Sequence, residues 1–181
     1  ILFITHYAQI AEEQQVDMFA VGNEQNDTTH REEDWRHIIA AVREVYHGPI
    51  TYAANAFYFE ASRVTFWDAL DYIGTNAYGF GQIDKPNPTV DEMQQHWTPY
   101  LKTLEEMSIK YDKQVLITEI GARAIQDYLR GRLDDSESGP YDGQAQADFY
   151  KAFFEALKDK PWIKGIILWD MENFPLQGGP Q

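Results

Sequence analysis

Five short apolar segments alternating with helical stretches predict an α/β fold. The specific expectation is a (β/α)₈ TIM barrel, of which this chain carries the C-terminal portion, strands four to eight. Three observations lead there. Strands separated by helices of about 10–20 residues imply βαβ units and a parallel sheet. Every predicted strand ends in polar or aromatic residues: Asn23-Glu24, Asn55, Asn76/Tyr78, Glu119 and Trp169-Asp170. A doubly wound sheet gathers its chemistry at one switch point, whereas a barrel collects it from the C-terminal ends of several strands. Finally, a full barrel needs about 250 residues, and this chain has 181. The expectation is therefore one domain over residues 1–181 with the first three barrel strands lying outside it.

The elements follow in order. Ile1, Ile4, Ala8 and Ala11 repeat at helical spacing and predict a helix from Ile1 to Gln15, with Glu12 and Glu13 facing water. Met18 to Val21 is an apolar run closed by Gly22-Asn23-Glu24, a buried strand with a polar tip. Trp35, Ile38, Ile39, Val42 and Tyr46 mark an amphipathic helix that Gly48-Pro49 stops. Ile50 to Asn55 reads as a strand, Ala61 to Leu70 as a short helix, and Asp71 to Tyr78 as a strand. A helix is predicted from Val90 to Tyr111 with Trp97, Leu101, Leu104 and Met107 on one face, broken at Pro99. Gln114 to Glu119 is a strand, and Arg123 to Gly143 is polar and punctuated by Gly and Pro, a large surface loop. Gln144 to Lys158 spaces Ala145, Phe149, Ala152, Phe153 and Leu157 for one buried helical face, and Gly165 to Asp170 is the last strand.

Composition narrows the function classes. Fifteen basic against 29 acidic residues give a formal charge of −14. That balance argues against nucleic acid, whose affinity rests on clustered Lys and Arg, and against an anionic membrane surface. No cysteine is present, which excludes disulfides, thiolate metal sites and cysteine nucleophiles and leaves the compartment open. Five histidines show no metal-ligand spacing. The acidic run Asp134 to Gly139 lacks the EF-hand pattern and reads as solvated loop. Asn26-Asp27-Thr28 has the form of a glycosylation acceptor, but its place beside Glu24 makes it a chance match. Twenty-six aromatics alongside many carboxylates suit either an aromatic core or a carbohydrate cleft.

The chemistry centres on Glu24 and Glu119. Each ends an apolar strand, where a carboxylate is poorly solvated and needs a partner or a function. One such residue alone could cap a loop. Two facing each other across a barrel mouth could serve as acid/base and nucleophile in glycoside hydrolysis, about 5–5.5 Å apart in a retaining enzyme and about 6.5–9.5 Å in an inverting one. In such a pair one carboxyl stays ionised and the other is raised toward neutrality; Glu24 is expected to be the raised one, with Tyr78 and backbone donors keeping Glu119 low.

Val21-Gly22-Asn23-Glu24 resembles the fourth-strand motif of the retaining glycoside hydrolase clan A, and Leu116 to Gly121 resembles its seventh-strand nucleophile motif. Trp35 to Ile39, Val42 to Asn55 and Phe66 to Gly74 are similar to glycoside hydrolase family 113, best known for β-1,4-mannanases. The resemblance implies retaining hydrolysis of a β-linked oligo- or polysaccharide, β-mannan first, with Glu24 as acid/base and Glu119 as nucleophile. It further implies Asn23 on the sugar 2-hydroxyl, Tyr78 on the nucleophile, Trp169 as the platform under the reacting sugar and Asn55 against sugar or Glu24. It calls for no cofactor and no metal. Two stretches depart from the family pattern: Ala122-Arg123, where an aromatic commonly stands, and Asp170-Met171-Glu172-Asn173, in place of an aromatic-rich ending. The competing readings are a non-catalytic carbohydrate-binding or scaffold protein on the same groove, and a fragment inactive without the missing N-terminal part of the barrel.

Overall fold

The computed structural model describes residues 1–55, 59–78, 83–126, 128–130 and 139–169. In chain order the elements are α1 (Leu2–Glu13), β1 (Phe19–Asn23), α2 (Glu32–Arg43), β2 (Ile50–Ala54), α3 (Glu60–Arg63), β3 (Ile73–Asn76), α4 (Val90–Tyr111), β4 (Val115–Ile120), α5 (Gly143–Leu157) and β5 (Ile163–Leu168). The five strands form one sheet in the order β1-β2-β3-β4-β5, and every neighbouring pair is parallel. Sequential order with no reversal is the arrangement of a barrel wall; a doubly wound sheet would place later strands on the other side of the first.

Burial explains why these segments are strands. All residues of β2 and β3 are buried, which gives continuous rather than alternating apolar runs, as a sheet covered on both faces requires. Glycine serves close approach at one position here: a Cβ on Gly74 would lie 2.3 Å from the Tyr52 carbonyl oxygen. The helices cover the sheet with aromatic side chains. Trp67, Trp97, Phe66, Phe149 and Phe153 are fully buried. At about 25 cal/mol per Å² and 150–250 Å² per ring, each contributes roughly 4–6 kcal/mol of burial. Trp97 of α4 packs against Phe153 of α5 with ring centroids 5.1 Å apart. Asp71 sets the start of β2, accepting from the Ile50 amide at 2.7 Å and from Arg43 of α2 at 2.6 Å.

Several expectations change. The Ala61 to Leu70 stretch divides into α3 and a 3₁₀ turn at Trp67–Ala69. The segment after Arg123 is not all surface loop: Ile125 bridges to Tyr141, and Ile125, Tyr128 and Leu129 are buried in the core. Residues 134–138 of the acidic run and 170–173 of the chain's ending lie outside the described residues. Ile1, expected on the buried face of α1, is exposed, while Ala8 and Ala11 are buried as the spacing predicts. Among the described residues no helix is long and apolar enough to cross a membrane.

The break expected at Pro99 does not occur; α4 runs unbroken for 22 residues. Its start is fixed by a capping box in which the Thr89 hydroxyl accepts from the Glu92 amide and the Glu92 carboxylate accepts from the Thr89 amide. Pro99 and Gln95, whose carbonyl loses its helical donor, both lie on the exposed face, so water can satisfy the freed oxygen. Trp97, Leu101 and Leu104 hold the helix on the core on either side. Pro99→Ala should therefore stabilise the protein. Proline costs about 3 kcal/mol in a helix interior, and alanine returns up to about 1 kcal/mol of freedom to the unfolded chain, for a net gain of roughly 2 kcal/mol. A thermal midpoint that stays level or falls would show that the proline is fully accommodated.

Candidate active site

Parallel pairing brings the C-terminal ends of all five strands to one edge of the sheet. Asn23 at the end of β1 lies opposite Ala53, and Asn76 at the end of β3 lies opposite Glu119 on β4. Backbone bonds fix the tips beyond: the Glu24 amide donates to the Ala53 carbonyl at 2.9 Å, the Ala77 amide to the Glu119 carbonyl at 2.7 Å, and the Trp169 amide to the Ile120 carbonyl at 2.8 Å.

Glu24 adopts a left-handed conformation, with φ of 52°. A non-glycine residue there is under strain and persists only where its surroundings hold it. The turn directs its carboxylate back over the sheet toward β3, where Glu24 Oε1 accepts from Asn76 Nδ2 at 2.8 Å. The preceding Gly22 is required by packing, since a Cβ would lie 2.7 Å from the Trp35 ring and 2.9 Å from the Tyr52 ring.

Asn76 is the centre of the polar cluster, and it has no exposed surface. Its Nδ2 donates to Glu24 and to Asn23 Oδ1 at 3.0 Å, while its Oδ1 accepts from the Thr118 hydroxyl at 2.6 Å. Thr118 fixes which end of the amide donates, because its short hydroxyl bond needs the oxygen on that side. Asn23 Nδ2 in turn reaches Glu119 Oε1 at 3.4 Å. The two glutamates are thus joined through two side-chain amides. In the sequence Asn76 stands near Tyr78 at the strand end, and the expected role falls to Tyr78. The signal for Asn76 was available: it is an amide closing an apolar strand, the same pattern that singles out Glu119. Thr118, beside Glu119 in the sequence, gave no separate signal.

Glu119 is half-buried, and burial raises its carboxyl above the ordinary glutamate value. The Glu24 charge pushes in the same direction, while Asn23, the Tyr78 hydroxyl and Asn76 oppose it by favouring the ionised form. The expectation that Tyr78 and backbone donors keep Glu119 low is therefore corrected: desolvation and a like charge outweigh three hydrogen-bonding side chains.

The structure brings Asn23, Glu24, Tyr78 and Glu119 into this cluster. Asn55 follows β2 directly and is buried, with its amide donating to Glu60 Oε2 at 2.6 Å. Trp169 lies just past β5 and is 54% exposed, outside the hydrophobic core.

The electrostatics generate opposite shifts that a carbon-13 NMR titration of Glu119 can read. Its midpoint should lie above that of an ordinary glutamate. Tyr78→Phe removes a group that favours the ionised form, so the midpoint should rise further. Glu24→Gln removes the like charge, so the midpoint should fall. Shifts in the same direction for both variants would contradict the arrangement.

The sequence profile described as Glycoside Hydrolase Family 113 matches residues 1–177. Among solved structures, a GH113 β-mannanase from Alicyclobacillus acidocaldarius in complex with ManMIm is 32% identical, with a TM-score of 0.79 over 93% of this chain and 49% of that one. A complex of a GH113 β-1,4-mannanase is 30% identical, with a TM-score of 0.77 over 93% of this chain and 50% of that one. A β-D-glucuronidase of Dictyoglomus thermophilum, 22% identical with a TM-score of 0.62 over 84% of this chain and 25% of that one, shares the fold. No curated protein matched. The chain spans about half the length of the mannanases it resembles, which makes it a partial barrel. On a match that runs over nearly all of its residues, the chain belongs to Glycoside Hydrolase Family 113.

Proposed function

We propose that this chain carries the catalytic side of a retaining glycoside hydrolase acting on β-1,4-linked mannan, with Glu24 as acid/base and Glu119 as nucleophile. The observation that carries the reading is the pair of strand-end glutamates joined through Asn23 and Asn76. Mannan is the substrate named for the solved relatives at 30–32% identity. Retaining both carboxylates favours an enzyme over a non-catalytic binding protein on the same groove.

In the first step Glu119 attacks the anomeric carbon while Glu24 protonates the departing glycosidic oxygen, leaving a glycosyl ester on Glu119. In the second, Glu24 takes a proton from water, which displaces Glu119 and releases the sugar with retained configuration. The coupled charges suit this sequence. When Glu24 carries the proton, its charge no longer opposes ionised Glu119. The donors from Asn23, Tyr78 and Asn76 then hold the nucleophile charged. Asn23 is placed in the scheme as the donor to the sugar 2-hydroxyl, a bond that strengthens in the transition state. Asn55, which follows β2, is placed against the sugar or Glu24. The partner needed to complete the barrel is further chain that supplies the remaining strands. Exposed apolar side chains on α1 (Leu2, Phe3, Tyr7) and on the β5 edge (Ile167, Leu168) are surfaces such strands and helices would cover.

Azide separates the two roles. In the complete barrel, Glu119→Ala should abolish turnover, and added azide should yield a glycosyl azide of inverted configuration. Azide with Glu24→Ala should instead rescue activated substrates and give the retained product. Products with the opposite configurations would exchange the two assignments.

Trp169 tests whether the mouth is a sugar site. Stacking of an indole on a sugar face contributes about 1–3 kcal/mol, so Trp169→Ala should lower kcat/KM by roughly 10- to 100-fold. Contact that tightens on the flattened transition state should lower kcat as well as raise KM. A variant with a lower thermal midpoint and unchanged kcat/KM per folded molecule would remove Trp169 from the site.

A further inference from the structure

Among the described residues, Glu60 at the start of α3 is the one carboxylate with no exposed surface, and the mechanism above does not use it. It accepts two short hydrogen bonds. Its Oε2 takes the Asn55 amide at 2.6 Å, and its Oε1 takes the Tyr52 hydroxyl at 2.6 Å. Tyr52 is also fully buried, in the middle of β2. With its proton given to Glu60, the Tyr52 oxygen is an acceptor, and it receives the Gln25 amide at 2.7 Å.

That amide belongs to the peptide bond leaving Glu24. The peptide entering Glu24 is held by Ala53, so β2 grips the left-handed residue on both sides: through the Ala53 carbonyl before it and the Tyr52 hydroxyl after it. A phenol oxygen competes for an amide best when its own hydrogen is directed elsewhere. The buried Glu60 side chain ensures this by accepting the phenol hydrogen at Oε1. Rings pack closely around Tyr52: Trp35 lies edge-on at 5.1 Å, Phe66 at 5.9 Å, and Gly22 packs directly on it.

We propose that Glu60 is a positioning residue for Glu24, acting through Tyr52 and the Gln25 amide to hold the strained backbone from which the Glu24 carboxylate projects. The proposal rests on the acid/base reading of Glu24. Burying a carboxylate is costly unless it is bonded, and here the bonds lead from an otherwise apolar core to one side of the catalytic pair rather than to the other. Its effect should therefore fall on the proton-transfer role of Glu24 and spare the nucleophile Glu119, which sits on a different strand.

Leaving-group dependence reads that difference. The glycosylation step of a dinitrophenyl β-mannoside needs no protonation, whereas that of an unactivated mannooligosaccharide does. In the complete barrel, Glu60→Gln should lower kcat/KM for the oligosaccharide by about 10- to 100-fold, part of the 10²–10⁴-fold that general acid catalysis supplies, and leave the dinitrophenyl mannoside within about threefold. Both substrates are assayed on one preparation, so any loss of folded protein cancels from the ratio. Tyr52→Phe removes only the connecting hydroxyl and should reproduce the split if Glu60→Gln folds poorly. Equal losses on both substrates, or no loss on either, would overturn the proposal. Glu24→Ala is the control for the underlying reading. If it fails to show the same split, the acid/base assignment falls; if it shows the split and the Glu60 and Tyr52 variants do not, only the positioning role falls.

Discussion

Everything at this site depends on parallel pairing between neighbours in the sequence. Each strand returns to the same starting edge through a helix, so each delivers its last residues to the same opposite edge. Glu24 and Glu119 stand 95 residues apart in the chain, yet β1 and β4 carry them to one mouth. The fully buried β2 and β3 between those strands set the spacing, and their small residues matter: with a side chain on Gly74, β3 could not lie so close to Tyr52.

Within that frame, a few buried polar side chains convert a sheet edge into a charged site. Two carboxylates near each other in a half-buried cleft repel, and desolvation adds to the cost. The structure answers with amides rather than cations. Asn76 gives its hydrogens to the Glu24 side of the cluster and receives a hydrogen from Thr118, so its donating face is fixed. Amides stabilise a negative charge without neutralising it. That leaves Glu119 sensitive to whether Glu24 is charged.

The aromatic residues divide into two tasks. Trp97, Phe149 and Phe153 lock α4 to α5 and close the outer layer. Trp35, Tyr52 and Phe66 form a second group between α2 and the sheet, and this one reaches the site. It holds the Tyr52 hydroxyl where it meets the peptide after Glu24, and the same packing excludes any side chain at position 22. Core packing and site geometry are therefore one problem on the β1–β2 side. On the β4 side, Glu119 relies on the polar side chains of Asn23, Tyr78 and Asn76.

The sequence by itself determined the element order, the parallel sheet and the carboxylate pair, because each follows from local pattern. Apolar runs of four to six residues closed by Asn or Glu mark strand ends, and helical spacing marked the buried faces of α4 and α5, with Ala145 of the residues named there only partly buried. Only the tertiary structure decided what depends on neighbours distant in the chain. Pro99 looks like a helix break until its solvent-facing position and the anchors on either side are known. Ile125, Tyr128 and Leu129 read as surface loop in a polar stretch, and become core because they pack into the buried hydrophobic cluster. Asn76 closes an apolar strand and Glu60 is a lone acid in the sequence, but what each does depends on partners 42 to 53 and 5 to 8 positions away that no periodicity connects. The expected charge balance on Glu119 is overturned for the same reason. Residue types can say that donors and a like charge will be present, but which of them outweighs the other is set by distance and burial, and those exist only in the folded chain.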